Sequence, residues 1–228
     1  MSGVEILDNG TQVLTTPRAI FSTDALLLGR FAQPRRAERA LDLCSGCGII
    51  SLLWHDAGHR GFCTALELDP DASALCVQAV AENGIDHITP VQGDLRTFCA
   101  VGPEQGRYDF AACNPPYFTA GPCSPDPRRA TARHTGSCTT GDAIDCARRT
   151  LRDGGRFVLC QRPEALAGVL SALCAARLEP KRLAFVKNAP DRAPWLFLVE
   201  AQKGRKPGLR VEPDILISAG AALYGPQK

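Results

Sequence analysis

The chain has 228 residues, 45% of them hydrophobic and 22% charged, with a net charge of +2. That length supports one well-buried α/β core with small additions rather than two domains. The near-neutral balance excludes a strongly acidic or basic protein, so any nucleic-acid reading has to rest on local clusters.

Eleven cysteines, an odd number, fall mostly inside apolar runs. Reduced cysteine used as a small buried hydrophobe accounts for that pattern. The N-terminus lacks the basic start and apolar centre of a signal sequence, and no apolar run approaches membrane-spanning length. The expected compartment is the cytosol.

Val4-Glu-Ile-Leu7 and Gln12-Val-Leu-Thr15 flank Asp8-Asn9-Gly10, which predicts a β-hairpin. Ser22 or Thr23 then caps a helix running to about Ala32 and stopped by Pro34. Ala40 to Cys44 reads as a buried strand and Ile49 to Ala57 as its helix. Phe62 to Leu68 is a second strand, followed by a helix from Pro70 to Glu82 with proline in its first turn. Ile88 to Gln92 and Tyr108 to Cys113 are the third and fourth strands. Phe118 to Thr140 is rich in Pro, Gly, Ser, Thr and Arg without periodicity, a loop long enough to suggest function. Asp142 to Leu151 is a helix, Gly155 to Cys160 a fifth strand, and Pro163 to Ala176 a helix.

Alternating strands and helices predict a parallel sheet covered on both faces. Arg182 to Val186 and Trp195 to Val199 are strand-like, and the connection between them is too short for a crossover helix. They should pair antiparallel. A doubly wound sheet closed this way resembles the sheet of S-adenosylmethionine-dependent methyltransferases more than that of dinucleotide dehydrogenases. We expect residues 1–36 to form the hairpin and first helix, and 37–228 the catalytic domain, in one globular unit.

Two stretches carry the chemistry. Asp42-Leu-Cys44-Ser-Gly46-Cys-Gly48 joins the first parallel strand to its helix, and its glycines allow a tight bend close to a ligand. Glu67 ends the next strand, where an acid can take both ribose hydroxyls of a nucleoside. Asp94 could accept from an adenine amino group or cap a helix, while Phe21 and Asp24 could line the pocket or serve packing and capping. Cys44-x-x-Cys47 lacks the partners of a zinc site and the context of a redox pair, so no metal is expected.

Asn114-Pro-Pro-Tyr117 is the second stretch. Prolines stop the strand and hold Asn114 extended. The Asn114 side-chain carbonyl and the Pro115 backbone carbonyl then offer two acceptors suited to the two hydrogens of a planar amine. Tyr117 can stack on the ring that bears it.

These residues give the chain a resemblance to the small-domain type of class I methyltransferases, most closely to the bacterial valine-tRNA adenine-N6-methyltransferase family. The likeness is nearly full length. It includes Phe21 to Leu28, Asp42 to Ile50, Glu67, Asn114 to Phe118, Ala132-Arg-His134, Leu178 to Leu183 and Gly204 to Pro213. It implies a Rossmann-like seven-stranded sheet, S-adenosyl-L-methionine as cofactor, and methylation of the adenine 3′ of the anticodon. Asn114, Pro115 and Tyr117 would be catalytic. Phe21, Asp24, Asp42, Cys44, Gly46, Gly48, Glu67, Asp94 and Asn114 would bind cofactor. Tyr117, Phe118, Arg128, Arg129, Arg133 and His134 would meet tRNA, with Lys203, Arg205, Lys206 and Arg210 as a second basic group.

The sequence departs from the family at two places. Cys44 replaces the loop's first glycine, which requires negative φ there, and Thr135 stands where many relatives carry an acid. Rival substrates are a glutamine amide of a protein release factor and guanine N2 of ribosomal RNA. A cofactor-binding RNA chaperone without catalysis is the non-enzymatic alternative. Sequence does not decide between monomer and homodimer.

Overall fold

The computed structural model describes residues 3–98, 104–115 and 138–217. An antiparallel hairpin, β1 (Gly3–Ile6) and β2 (Gln12–Thr15), opens the chain. Gly10 takes φ 97° at its turn, a conformation that glycine adopts without Cβ strain. The Asp56 carboxylate accepts from the backbone N–H groups of Asn9 (3.0 Å) and Thr11 (3.1 Å), and the Asn83 side chain exchanges hydrogen bonds with the backbone of Gln12. The hairpin is therefore tied to the ends of two helices. Helix α1 (Thr23–Phe31) starts at Ser22, whose side chain accepts from the Ala25 N–H.

The main sheet has the order β10-β8-β9-β7-β6-β3-β4-β5, with β11 also on β8. Its strands are β3 (Ala40–Leu43), β4 (Cys63–Glu67), β5 (Ile88–Gln92), β6 (Tyr108–Cys113), β7 (Leu151–Gln161), β8 (Leu178–Lys187) and β9 (Leu196–Lys203). These are the seven expected strands. The two-residue β10 (Arg210–Val211) and β11 (Ile215–Leu216), both parallel to β8, bring the total to nine. Strands β3 to β7 are parallel, and β9 runs antiparallel to both β7 and β8, as the short connection requires.

Among the described residues the remaining helices are α2 (Ile49–Asp56), α3 (Pro70–Glu82), α4 (Leu95–Phe98), α5 (Thr140–Thr150) and α6 (Leu166–Ala175), with a 3-10 turn at Pro163–Ala165. Helix α5 begins at Thr139 with a reciprocal capping box to Asp142. One apolar cluster joins Leu7, Val13 and α1 to Ile50, Phe110, Val158 and Leu198; the other packs α5 and α6 on the opposite face of the sheet through Ile144, Phe157, Leu173 and Phe197. The hairpin and α1 thus belong to the same buried mass as the sheet. Among the described residues no helix is long and apolar enough to cross a membrane.

Candidate active site

The strand order reverses between β3 and β6, since the chain continues from β3 towards β4 on one side and returns to β6 on the other. Open α/β sheets bind ligands in the crevice at such a point, at the carboxyl ends of the strands. Leu43 and Cys113 are register partners, so Cys44 and Asn114 leave the two strands side by side. Together with Ile20, Phe21, Ser22, Ser45, Gly46, Cys47 and neighbouring residues of α1 and α2 they line a cavity of about 170 Å³. The glycine bend and the proline turn, far apart in sequence, meet there.

The bend is built on left-handed backbone. Gly46 has φ 56° and Gly48, the residue that caps α2, has φ 84°. A Cβ on Gly48 would meet Cys76 Sγ at 2.4 Å, whereas one on Gly46 would meet no protein atom within 4 Å. Gly48 is required by packing, and Gly46 leaves open space beside the bend. Cys44 corrects an expectation: its φ is 57°, not negative. The β3–β4 ladder sets it, because the Ser45 N–H still donates to the Leu66 carbonyl at 3.0 Å. Left-handed backbone costs a side-chain-bearing residue about 1–2 kcal/mol. Packing of the thiol offsets part of this: Cys44 Sγ is 3.3 Å from Cys138 Sγ, and all three of Cys44, Cys47 and Cys138 are free thiols. Contact with Cys113 and burial push the Cys44 thiol well above its ordinary value, and burial raises Cys47 to about 11. Both are uncharged at neutral pH.

Glu67 reaches across to the bend. Its Oε2 accepts from the Gly46 N–H at 2.7 Å and its Oε1 from the Asp69 N–H at 2.9 Å. Asp42 lies beneath, fully buried, with Oδ2 accepting from the Ser51 N–H (3.1 Å) and hydroxyl (2.6 Å). Burial raises its pKa to about 7. It braces the bend from below and does not line the cavity. Phe21 does line it, but Asp24 is 6% exposed and pairs with Arg162 at 3.4 Å. Asp94 begins α4: its backbone carbonyl accepts from Thr97 and Phe98, and its carboxylate is bidentate to Arg96, which holds its pKa below the usual range. Asp94 Oδ1 also accepts from the Arg96 backbone N–H at 2.9 Å, which is a helix-capping geometry.

Asn114 stands at the cavity wall, and its Oδ1 accepts from the thiol of Cys160 at 3.1 Å. Tyr117, Phe118, Arg128, Arg129, Arg133 and His134 lie outside the described residues. In the second basic group, the side chains of Lys203 and Arg210 are engaged within the chain. Lys203 pairs with Leu178 at the end of the sheet opposite Asn114 and donates its ammonium to the Arg148 and Leu151 carbonyls, while Arg210 pairs with Glu212. Lys206 accepts through its backbone carbonyl from Lys181. These contacts tie strand ends together, a use that charge composition alone does not reveal.

The sequence reading missed Ser45, whose hydroxyl is buried without a hydrogen-bond partner on the cavity wall. An orphaned hydroxyl, the open space at Gly46 and the Glu67 carboxylate together fit a nucleoside cofactor with a polar amino-acid tail. Serine next to a glycine bend was the available signal.

Fold and site together define a class I methyltransferase. The sequence profile of the methyltransferase small domain matches residues 7–172, and the chain belongs to that family. It is an S-adenosylmethionine-dependent enzyme. A tRNA1(Val) (adenine(37)-N6)-methyltransferase of Shewanella loihica is 33% identical over 183 residues, covering 78% of this chain and 74% of that protein. The protein of the same description from Tolumonas auensis is 30% identical over 207 residues, covering 90% and 84%. Among solved structures, a predicted O-methyltransferase of Agrobacterium tumefaciens superposes with a TM-score of 0.67 at 19% identity, covering 90% of this chain and 92% of that one. The tRNA m1G37 methyltransferase of M. jannaschii gives 0.63 at 16%, covering 90% and 57%. At that identity the likeness is one of fold.

Proposed function

We propose that this enzyme N6-methylates an adenine of tRNA in the cytosol, at the position next to the anticodon of valine tRNA. The observation that carries the reading is the Asn114 carboxamide on the same cavity wall as Gly46 and Phe21. The names of the 30–33% identical relatives support the choice of nucleic acid and base.

The chain's residues divide the work by position. Gly46, Ser45 and Glu67 would hold the cofactor, which supplies an electrophilic methyl group when bound. Asn114 Oδ1 and the Pro115 carbonyl each accept one hydrogen of the adenine amine. That grip draws the nitrogen lone pair out of conjugation with the ring and aims it into the cavity. Alignment of this kind is the larger part of the catalytic task, because a methyl donor of this reactivity needs no activating acid. The amine proton leaves after transfer, so no dedicated general base is required. Tyr117 and Phe118 stack on the base, and Arg128, Arg129, Arg133 and His134 take phosphates. A loop base leaves its stack at a lower cost than a duplex base, on the order of a few kcal/mol.

The test is incubation with methyl-labelled S-adenosylmethionine and bulk tRNA or bulk protein, followed by nucleoside analysis. Label in N6-methyladenosine of tRNA is expected. Label in a release factor and none in tRNA would overturn the substrate assignment.

A further inference from the structure

Cys160 is fully buried near the end of β7, and its thiol makes a 3.1 Å hydrogen bond to Asn114 Oδ1. The pair is fixed by the sheet. Cys113 and Leu159 are register partners in the parallel β6–β7 ladder, so the residues that follow them stand abreast. On its other side Cys160 is the register partner of Leu198 in β9. Cys160 shares its apolar cluster with Val158, Ala112 and Phe110, the cluster that packs under α1 and α2. The thiol therefore reaches Asn114 from the interior, from a strand hydrogen-bonded on both edges.

We propose that Cys160 is a positioning residue for the amine-gripping group, its thiol fixing the plane of the Asn114 carboxamide. The inference rests on the reading of Asn114 as an acceptor for the amine. Pro115 restricts the backbone of Asn114 and leaves the side-chain torsions to its contacts, the Cys160 thiol among them. Carboxamide oxygen and nitrogen are nearly equal in size, so a half-turn of the amide costs little in packing. It would turn N–H groups, not an acceptor, towards the amine's own hydrogens. A thiol donating to Oδ1 opposes that half-turn. A carboxamide oxygen has two lone pairs, so the bond to Cys160 is compatible with a second one to the amine.

The alternative role for a buried cysteine is filling space. Three variants separate the two: Cys160→Ala, Cys160→Ser and Asn114→Ala, each measured for tRNA methylation, cofactor affinity and thermal unfolding. Cys160→Ala should lower kcat by about tenfold, the scale of one lost hydrogen bond, with KM and cofactor affinity little changed. Cys160→Ser keeps a donor at the same place and should restore most of the loss. Equal losses in Cys160→Ala and Cys160→Ser, or a wild-type kcat in Cys160→Ala, would overturn the proposal. Asn114→Ala at wild-type turnover would instead sink the amine-grip reading itself. A readout independent of turnover is the NMR signal of the Asn114 side-chain amide. It should be narrow in the wild type and broadened or split in Cys160→Ala, and identical signals in both would count against a fixing role.

Discussion

Glu67 Oε2 and the Gly46 N–H are 2.7 Å apart, so the acid that ends β4 is already bonded to the bend that follows β3. Two parts of the proposed cofactor site are thereby pre-set by the protein itself. The bond holds the carboxylate level with the open side of Gly46, and the Asp69 N–H holds its other oxygen.

Glu67→Gln should therefore weaken cofactor binding about 10- to 100-fold, as expected for loss of charged hydrogen bonds to two hydroxyls. The fold should persist, since the glutamine oxygen can still accept from Gly46. Isothermal titration with S-adenosylmethionine measures it, and unaltered affinity would remove Glu67 from the site.

Asn114→Ala should lose turnover by a factor of about 100 or more, the scale associated with misplacing a reacting group. Cofactor affinity should stay close to wild type, because in the proposed function the carboxamide serves the amine. A parallel fall in both would make Asn114 a cofactor ligand and nothing further.

The bend makes a stability prediction. Gly48→Ala should destabilise by about 2–4 kcal/mol, combining left-handed strain with a clash against Cys76. Cys44→Gly should be near neutral, since relief of strain is opposed by lost thiol packing and a freer unfolded chain. Cys44→Val should be clearly worse, because a β-branched residue is poorly accommodated at φ 57°. Thermal unfolding of the three variants tests the order.

Buried Asp42 and half-buried His55 pull the pH dependence in opposite directions. Asp42 keeps its proton to about pH 7 when folded, against an ordinary value of 3.8. The folded state holds more protons across that window, so this contribution is present below it and lost as pH rises. His55 does the reverse: burial, with Arg60 and His87 beside it, lowers its pKa from 6.5 to about 4. Asp56, also nearby, opposes the shift, and His59 adds to it. Here the unfolded chain holds more protons, and stability is lost as pH falls from 6.5 towards 4. Asp42→Asn should steepen the rise of stability with pH across the acid range, and His55→Asn should flatten it. Denaturant titrations from about pH 4 to about pH 8 distinguish them.

Local signals account for the elements that sequence placed well. Helix α3 spans Pro70–Glu82 as expected, because Asp69 caps it and proline fills its first turn. Strands β5 and β6 also match, the latter stopped by proline after Asn114. Helix α5 starts before the expected Asp142, since Asp142 folds back to Thr139 as a capping partner. Strand β7 begins at Leu151 rather than Gly155, where pairing with Tyr108 shifts register, a tertiary event without local signature. The two-residue β10 and β11 are too short for any period. At the site, Gly46, Glu67 and Asn114 were legible as residue types at strand ends. The sign of φ at Cys44 was not, since a neighbouring strand imposes it, and the Cys160 contact depends on two strands being abreast.

Strand β9 runs against β7, so Phe197 near its start lies beside Gln161, and β8 ends at the same edge, since Val186 pairs with Leu196. The turn between β8 and β9 is thereby delivered to the rim that holds Asn114, although Glu67 and Gly46 sit on the other half of the sheet. In the proposed function, donor and recipient are then served by separate stretches of chain. An exchange of that turn between relatives could alter which polymer is accepted while leaving the methyl source untouched, so recognition is free to diversify without the chemistry being rebuilt.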